Sequence, residues 1–263
     1  MSELQTWARR CHLAARTSLI DSRAMYLTTW NGRFTLIFFA GVLVMCAVIA
    51  LSPTLTPGKI IEQGALVGGY ASLMALPLRV YQDSRGAALV RPFALPGGRQ
   101  VWVLYAYLSM MTFAALLVVV SSITFAIAHA DWIAFLAAML AFALAMLLFS
   151  PLGALCASFV RGFGSYFASI IVAIIAVRPT FTGSEGVHDV YRWVTPHQWC
   201  VDLASRIGDY HLAHLNLPAL LGVYFAFILL VGLLARWRWK ALSRRVTVRN
   251  AEAWRNIVAR RGW

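Results

Sequence analysis

The chain is poor in acids: ten Asp and Glu stand against 23 Lys and Arg in 263 residues, for a formal net charge of +13. It is also poor in cysteine. Cys11, Cys46, Cys156 and Cys200 are dispersed, with no CxxC and no HExxH, which removes the usual spaced-thiol and zincin metal motifs. The largest absence is of charge over long stretches. From Phe34 onward the ionisable groups fall almost wholly between six apolar runs, at about 34–52, 64–81, 101–128, 132–160, 163–177 and 215–235. Roughly 20 apolar residues cross the hydrocarbon core of a bilayer as a helix, so the runs predict an all-α polytopic membrane protein with six spans.

The distribution of the charges gives an orientation. With both termini cytoplasmic, the inside segments hold Arg9, Arg10, Arg16, Arg23 and Arg33, then Arg79, Arg85, Arg91 and Arg99, then Arg161, then nine Lys or Arg from Arg236 to Arg261. These are 19 of the 23 basic residues; Lys59, Arg178, Arg192 and Arg206 remain outside, with six of the ten acids. The positive-inside rule assigns such a bias to an N-in, C-in protein with six spans. The basic excess is then a topology signal and an attraction to anionic lipid, and it calls for no nucleic acid. The first 33 residues carry five arginines and no compact apolar stretch, so no cleavable signal peptide is expected. In this topology no two cysteines share an oxidising compartment, and an impermeant thiol reagent should reach Cys200 from outside while sparing Cys11.

One membrane domain accounts for residues 1–263: an interfacial segment at 1–33, the six-span region at 34–235 and a basic tail at 236–263. In the first segment Arg9, Arg16 and Arg23 recur every seven residues and share a helical stripe, with Trp7 on another. That pattern predicts an amphipathic helix lying in the cytoplasmic interface. Small residues recur at helical spacing in two runs, as Gly64, Gly68 and Ser72 and as Ser165, Ser169 and Ala173. Both rows read as seams for close helix approach and, with Tyr70 and Tyr166, as candidates for a dimer interface or a substrate pathway.

The fourth and fifth runs differ in length. At 1.5 Å per residue the fourth would reach about 43 Å and bend or tilt near Pro151, whereas the fifth would reach only about 22 Å before Arg178 and Pro179. The aromatic-bearing stretch 180–214 that follows predicts short outer-leaflet helices returning partly into the membrane, the second opened by Pro196. Its His211 and His214 lie one helical turn apart, but no further ligand is tightly spaced, so a solvated face is expected and no metal site is assigned.

Catalytic residues are not visible. The interiors of the runs hold no Asp, Glu, Lys, Arg or His, which disfavours an ion-coupled carrier and a membrane-embedded hydrolase. The only Gly-Lys pair, Gly58-Lys59, has Pro53 where a phosphate loop needs glycine and Ile60 where it needs Ser or Thr. The chain itself is therefore read as no enzyme.

The loop after the second run carries the strongest local pattern. Asp83 or Ser84 can cap a short helix, Pro92 limits it, and Pro96-Gly97-Gly98 turns the chain into the third run. Its order of Asp83, Arg85-Gly86, Leu89, Leu95-Pro96 and Arg99 resembles the coupling segment of type-2 ABC transporter permeases, the half-transporters that export O-antigens, teichoic acids and drugs. The likeness extends to the interfacial helix, the short fifth run and the stretch from Thr195-Pro196 through Asp202 to Arg206. It implies a permease of a bacterial cytoplasmic (inner) membrane that dimerises with a second copy or a homologous permease and binds a separate cytoplasmic ABC ATPase, where ATP and Mg reside. It further implies export of a lipid-linked, peptide or drug-like substrate. Asp83, Ser84, Arg85, Gly86, Leu89, Arg91 and Phe93 are the candidate coupling residues. The alternative is a non-transport membrane protein, such as a scaffold, an assembly factor or a lipid-modifying enzyme.

Overall fold

The computed structural model describes residues 30–85, 98–160, 163–177, 195–208 and 215–261, together with positions 8 and 12. Among the described residues the longer elements are α1 (Trp30–Ala50), α2 (Pro57–Arg85), α3 (Gly98–His129), α4 (Trp132–Ala157), α5 (Phe163–Ala176), α6 (Pro196–Ser205) and α7 (Leu217–Arg261), with no strand. The interfacial helix with Trp7, Arg9, Arg16 and Arg23 lies outside the described residues, as do Gly86, Leu89, Arg91, Phe93, His211 and His214.

Among the described residues three helices hold a stretch long and apolar enough to cross a membrane: Ala106–His129, Trp132–Ala157 and Leu217–Ala241. Shorter apolar stretches occupy Ile37–Ala50 and Phe163–Ala176. The chain is a helical membrane protein. Its surface agrees, since α1, α3, α4, α5 and α7 all expose large apolar side chains, from Ile37 and Phe38 to Leu229 and Leu230. A water-soluble protein of this size would not tolerate so broad an apolar belt.

α2 is the exception, and its position explains its composition. No large hydrophobic side chain of α2 is among the exposed ones, because α3, α4, α5 and α6 all pack around it. A helix covered by protein need not be apolar all round, so α2 carries Lys59, Glu62 and Arg79 besides its glycines. It starts at Pro57, earlier than the apolar run at 64, with the Lys59 and Ile60 amides donating to the Thr56 carbonyl. Proline suits that first position, where its missing N–H has no helical partner to lose.

The core of the fold is the contact between α2 and α4. A Cβ added at Gly64 would lie 2.3 Å from the Ala138 carbonyl oxygen, and one at Gly68 would lie 2.6 Å from that of Phe142. Further along, a Cβ on Gly153 would lie 2.5 Å from the Ser72 carbonyl. Residue number rises along both helices in these pairs, so α2 and α4 run parallel and meet backbone to backbone. α4 answers with small side chains: Ala134, Ala137, Ala138, Ala141 and Ala145 are all buried. The row Gly64, Gly68 and Ser72 is therefore filled from within the chain, and that face has no room for a second copy.

Three aromatic donors fasten neighbours to α4. The Tyr107 hydroxyl donates to the Ser150 carbonyl at 2.8 Å, the Tyr224 hydroxyl to Leu144 at 2.7 Å and the Trp239 indole N–H to Ala154 at 2.7 Å. Each such bond within a membrane contributes about 0.6 kcal/mol, and rarely more than 1.7. The α3–α4 connection is tight. Ala130 takes a left-handed φ of 54°, and Asp131 caps α4 by accepting the Ala134 N–H at 2.9 Å. At the other end of the chain α7 continues as one helix through residue 235 to Arg261, so the basic tail begins inside a helix.

Gly68→Ala should cost about 1–3 kcal/mol by forcing the two backbones apart, read as a lowered thermal midpoint in detergent. Gly222→Ala, with nothing within 4 Å of its added Cβ, should leave the midpoint unchanged or raise it slightly through helix propensity.

Candidate functional site

α6 is short and polar, yet it is enclosed. Thr195 precedes it, Pro196 occupies its first turn, and His197, Gln198, Trp199, Cys200, Val201, Asp202, Ala204 and Ser205 are all buried. α4, α2 and α7 surround it. Its apolar groups join the main core: Trp199, Cys200, Val201 and Ala204 pack with Ile61 and Ala65 of α2, Ala137 and Ala141 of α4, and Leu220 and Tyr224 of α7. Trp199 meets Phe227 edge-on, with ring centroids 5.8 Å apart. The sequence pattern places this tryptophan in the interface, but packing against α7 draws it into the core.

The polar groups of α6 divide in two. Asp202 is held from three directions. One carboxylate oxygen accepts from Arg206 Nε at 3.2 Å and Nη2 at 2.8 Å, and the other accepts the Leu215 N–H at 3.0 Å. Arg206 closes the ring by donating to the Leu215 carbonyl. The clamp joins the end of α6 to the start of α7 and neutralises a carboxylate that is only 2% exposed. A buried carboxylate stripped of its cation would cost about 3–5 kcal/mol.

His197 is 0% exposed, and neither ring nitrogen reaches hydrogen-bond geometry with a partner among the described residues. Burial lowers its pKa to about 4, although the nearby Glu62 backbone favours the proton slightly. The imidazole is therefore neutral at pH 7, and its one N–H and one bare ring nitrogen are both enclosed. Cys200 is fully buried too, and burial pushes its thiol pKa up. It is consequently closed to an aqueous thiol reagent, contrary to the expectation from its place in the outer segment.

The other candidates separate. Ser169 and Ala173 are buried on the side of α5 that packs against α2, while Phe163, Phe167, Ile171, Ile174 and Ile175 are exposed. Small-residue spacing thus marks an internal seam of the chain, and the outward face of α5 is its bulky one. Ser165 is half-buried on the same helix. Tyr166 stacks on Tyr81 at the basic end of α2, with centroids 4.7 Å apart and rings inclined by 6°. Tyr70 sits against the main core eleven residues earlier, about 16 Å along α2, so the two tyrosines do not share one site. Asp83, Ser84 and Arg85 form the last turn of α2.

Among the described residues no group of three His, Cys, Asp or Glu is placed to hold a metal ion. Sequence reading missed the Asp202 clamp and the enclosed His197. The first had a usable signal, the Asp202–Arg206 spacing of four on a helix. The second had none, because burial of a single histidine depends on what the rest of the fold puts around it. Comparison with protein-family models, curated proteins and solved structures finds no match.

A depressed histidine pKa makes α6 docking acid-sensitive. Released, His197 binds a proton near pH 6.5, whereas docked it resists protonation until about pH 4. The stability it contributes is complete above pH 6.5 and falls by about 3 kcal/mol as pH drops from 6.5 to 4. The difference in thermal midpoint between the wild-type chain and His197→Leu should therefore shift in the variant's favour over that window. A constant difference across it would show that the ring is already solvated.

Proposed function

We propose that the chain is the membrane-spanning half of an ATP-driven exporter of the type-2 ABC permease kind. In this reading it crosses the bacterial inner membrane six times with both termini cytoplasmic. It pairs with a second permease copy and takes its energy from a separate cytoplasmic ATPase. The substrate is amphiphilic: lipid-linked, peptide or drug-like.

The observation that carries the reading is the placement of α2. Its basic end runs directly into the 83–99 segment that resembles the coupling element. Its opposite end, at Ile61, packs against α6. At 29 residues α2 is about 43 Å long, enough to reach through the hydrocarbon core. A push on the loop would be carried along a helix already in backbone contact with α4, and would arrive at the enclosed helix on the far side. The 14-residue α5, about 21 Å long, also supports the reading, since it is too short to cross alone and is followed by a helix that turns back into the bundle.

On this reading Leu89 and Phe93 are the apolar anchors that dock in the ATPase. Truncating a buried anchor commonly costs about 2 kcal/mol or more. Leu89→Ala with Phe93→Ala should leave the permease inserted while weakening co-purification of the ATPase and abolishing substrate-stimulated turnover. Normal ATPase binding and turnover in the double variant would overturn the assignment. Orientation has its own test. Thr54 is exposed in the α1–α2 connection, so Thr54→Cys should react with an impermeant maleimide on intact cells while Cys200 stays silent.

A further inference from the structure

α7 is the least buried of the three long apolar helices, and one stripe of it changes character along its length. Gly222, Ala226, Leu229, Leu233, Arg236 and Lys240 follow each other at spacings of four and three, which places them on one face. Of these, Ala226, Leu229 and Leu233 line an open apolar groove of about 480 Å³ that Trp199 of α6 also touches. Leu229 and Leu233 are 65% and 58% exposed. Arg236 and Lys240 are exposed at the end of the same stripe, beside Trp237.

The basic end of this stripe is fixed in place. The Arg238 guanidinium lies 4.6 Å from the centre of the Phe159 ring, and Trp239 donates to the Ala154 carbonyl. Two consecutive residues thus hold this turn of α7 against the end of α4 and turn Arg236 and Lys240 outward. From Ala226 to Arg236 is ten residues, about 15 Å of helix, which is half of a hydrocarbon core about 30 Å thick.

We propose that this stripe is a binding site for an anionic phospholipid of the leaflet facing the basic end of the bundle, with its phosphate on Arg236 and Lys240 and an acyl chain in the groove. The order of the residues matches the order of parts in such a lipid, and the length matches one leaflet. A second copy of the chain fits less well. Two copies inserted in the same direction about a two-fold axis would bring Arg236 and Lys240 against their own counterparts. Like charges at that range repel, whereas a phosphate attracts both. The site does not depend on the transporter reading.

The test uses the full chain, delipidated in an uncharged detergent and equilibrated with equal amounts of phosphatidylglycerol and phosphatidylcholine of identical chains. Retained lipid is then quantified by mass spectrometry. A cation near a headgroup layer favours anionic lipid about fivefold, so these two should raise the preference roughly 25-fold above what the other basic residues give. Arg236→Gln with Lys240→Gln should remove that increment, and Arg236→Lys with Lys240→Arg should keep it. In the unmodified chain 1 M salt, with a screening length of about 3 Å, should remove most of the preference. Equal retention of the two lipids by the wild-type chain overturns the proposal, as does an unchanged ratio in the doubly neutralised one. Displacement of the phosphatidylglycerol by glycerol 3-phosphate would also overturn it, since the cations would then recognise a soluble phosphate and the groove would be incidental.

Discussion

Where Gly64 and Gly68 of α2 meet Ala138 and Phe142 of α4, no side chain separates the two backbones, and that contact fixes the depth and rotation of both helices. In lipid there is little hydrophobic drive for helices to associate, so close packing of this kind must supply much of the attraction. With α4 set on α2, the other elements have defined places. α3 rests against both, α5 packs on α2 and touches α4, and α6 and α7 lean on α4. A wider spacing at the glycines would loosen all these contacts together.

Every polar group inside such a bundle needs a protein partner, because hydrocarbon offers none. The chain meets this largely with local bonds. Ser72 donates back to the Gly68 carbonyl at 2.7 Å, Ser122 to Val118 at 2.5 Å and Ser150 to Met146 at 2.6 Å. Longer reach is left to aromatic side chains, whose rings cover apolar area while one polar atom finds a carbonyl. Asp202 shows how a charge is enclosed on the same terms, since its cation and a backbone N–H are both within the clamp. His197 departs furthest from the rule among the described residues, with both ring nitrogens unpartnered. It is tolerated because a neutral imidazole costs far less to bury than an ion.

Apolar run length made the helical membrane class and the bodies of α3, α4 and α7 legible, because those helices meet lipid and their sequence records it. α2 was less legible for the same reason. Protein covers it, so charged and small residues intrude, and its true start at Pro57 is hidden behind Lys59 and Glu62. The spacing of Gly64, Gly68 and Ser72 announced a close approach but could not name the partner, which here is α4. The same limit applied to Ser169 and Ala173, where the small face turned inward to α2. For α6, Pro196 marked the opening of the helix correctly. Its ten residues are too few to register as an apolar run, and nothing in their local pattern shows that His197, Gln198 and Asp202 are enclosed along with the apolar groups.

The contrast between α2 and α7 follows from how much lipid each helix touches. α7 meets lipid over the part that begins at Leu217, so its sequence is ordered by depth, apolar through Leu234 and then basic from Arg236. α2 meets almost none, and its sequence is ordered by its neighbours. Glycine faces α4, and Tyr81 faces α5 at the basic end. Each helix is therefore held in depth by a different constraint. For α7 it is lipid, since sliding it would pull either leucines into water or arginines into hydrocarbon. For α2 it is the backbone contact at Gly64 and Gly68, so α2 and α4 keep one register and an axial displacement of either carries the other with it.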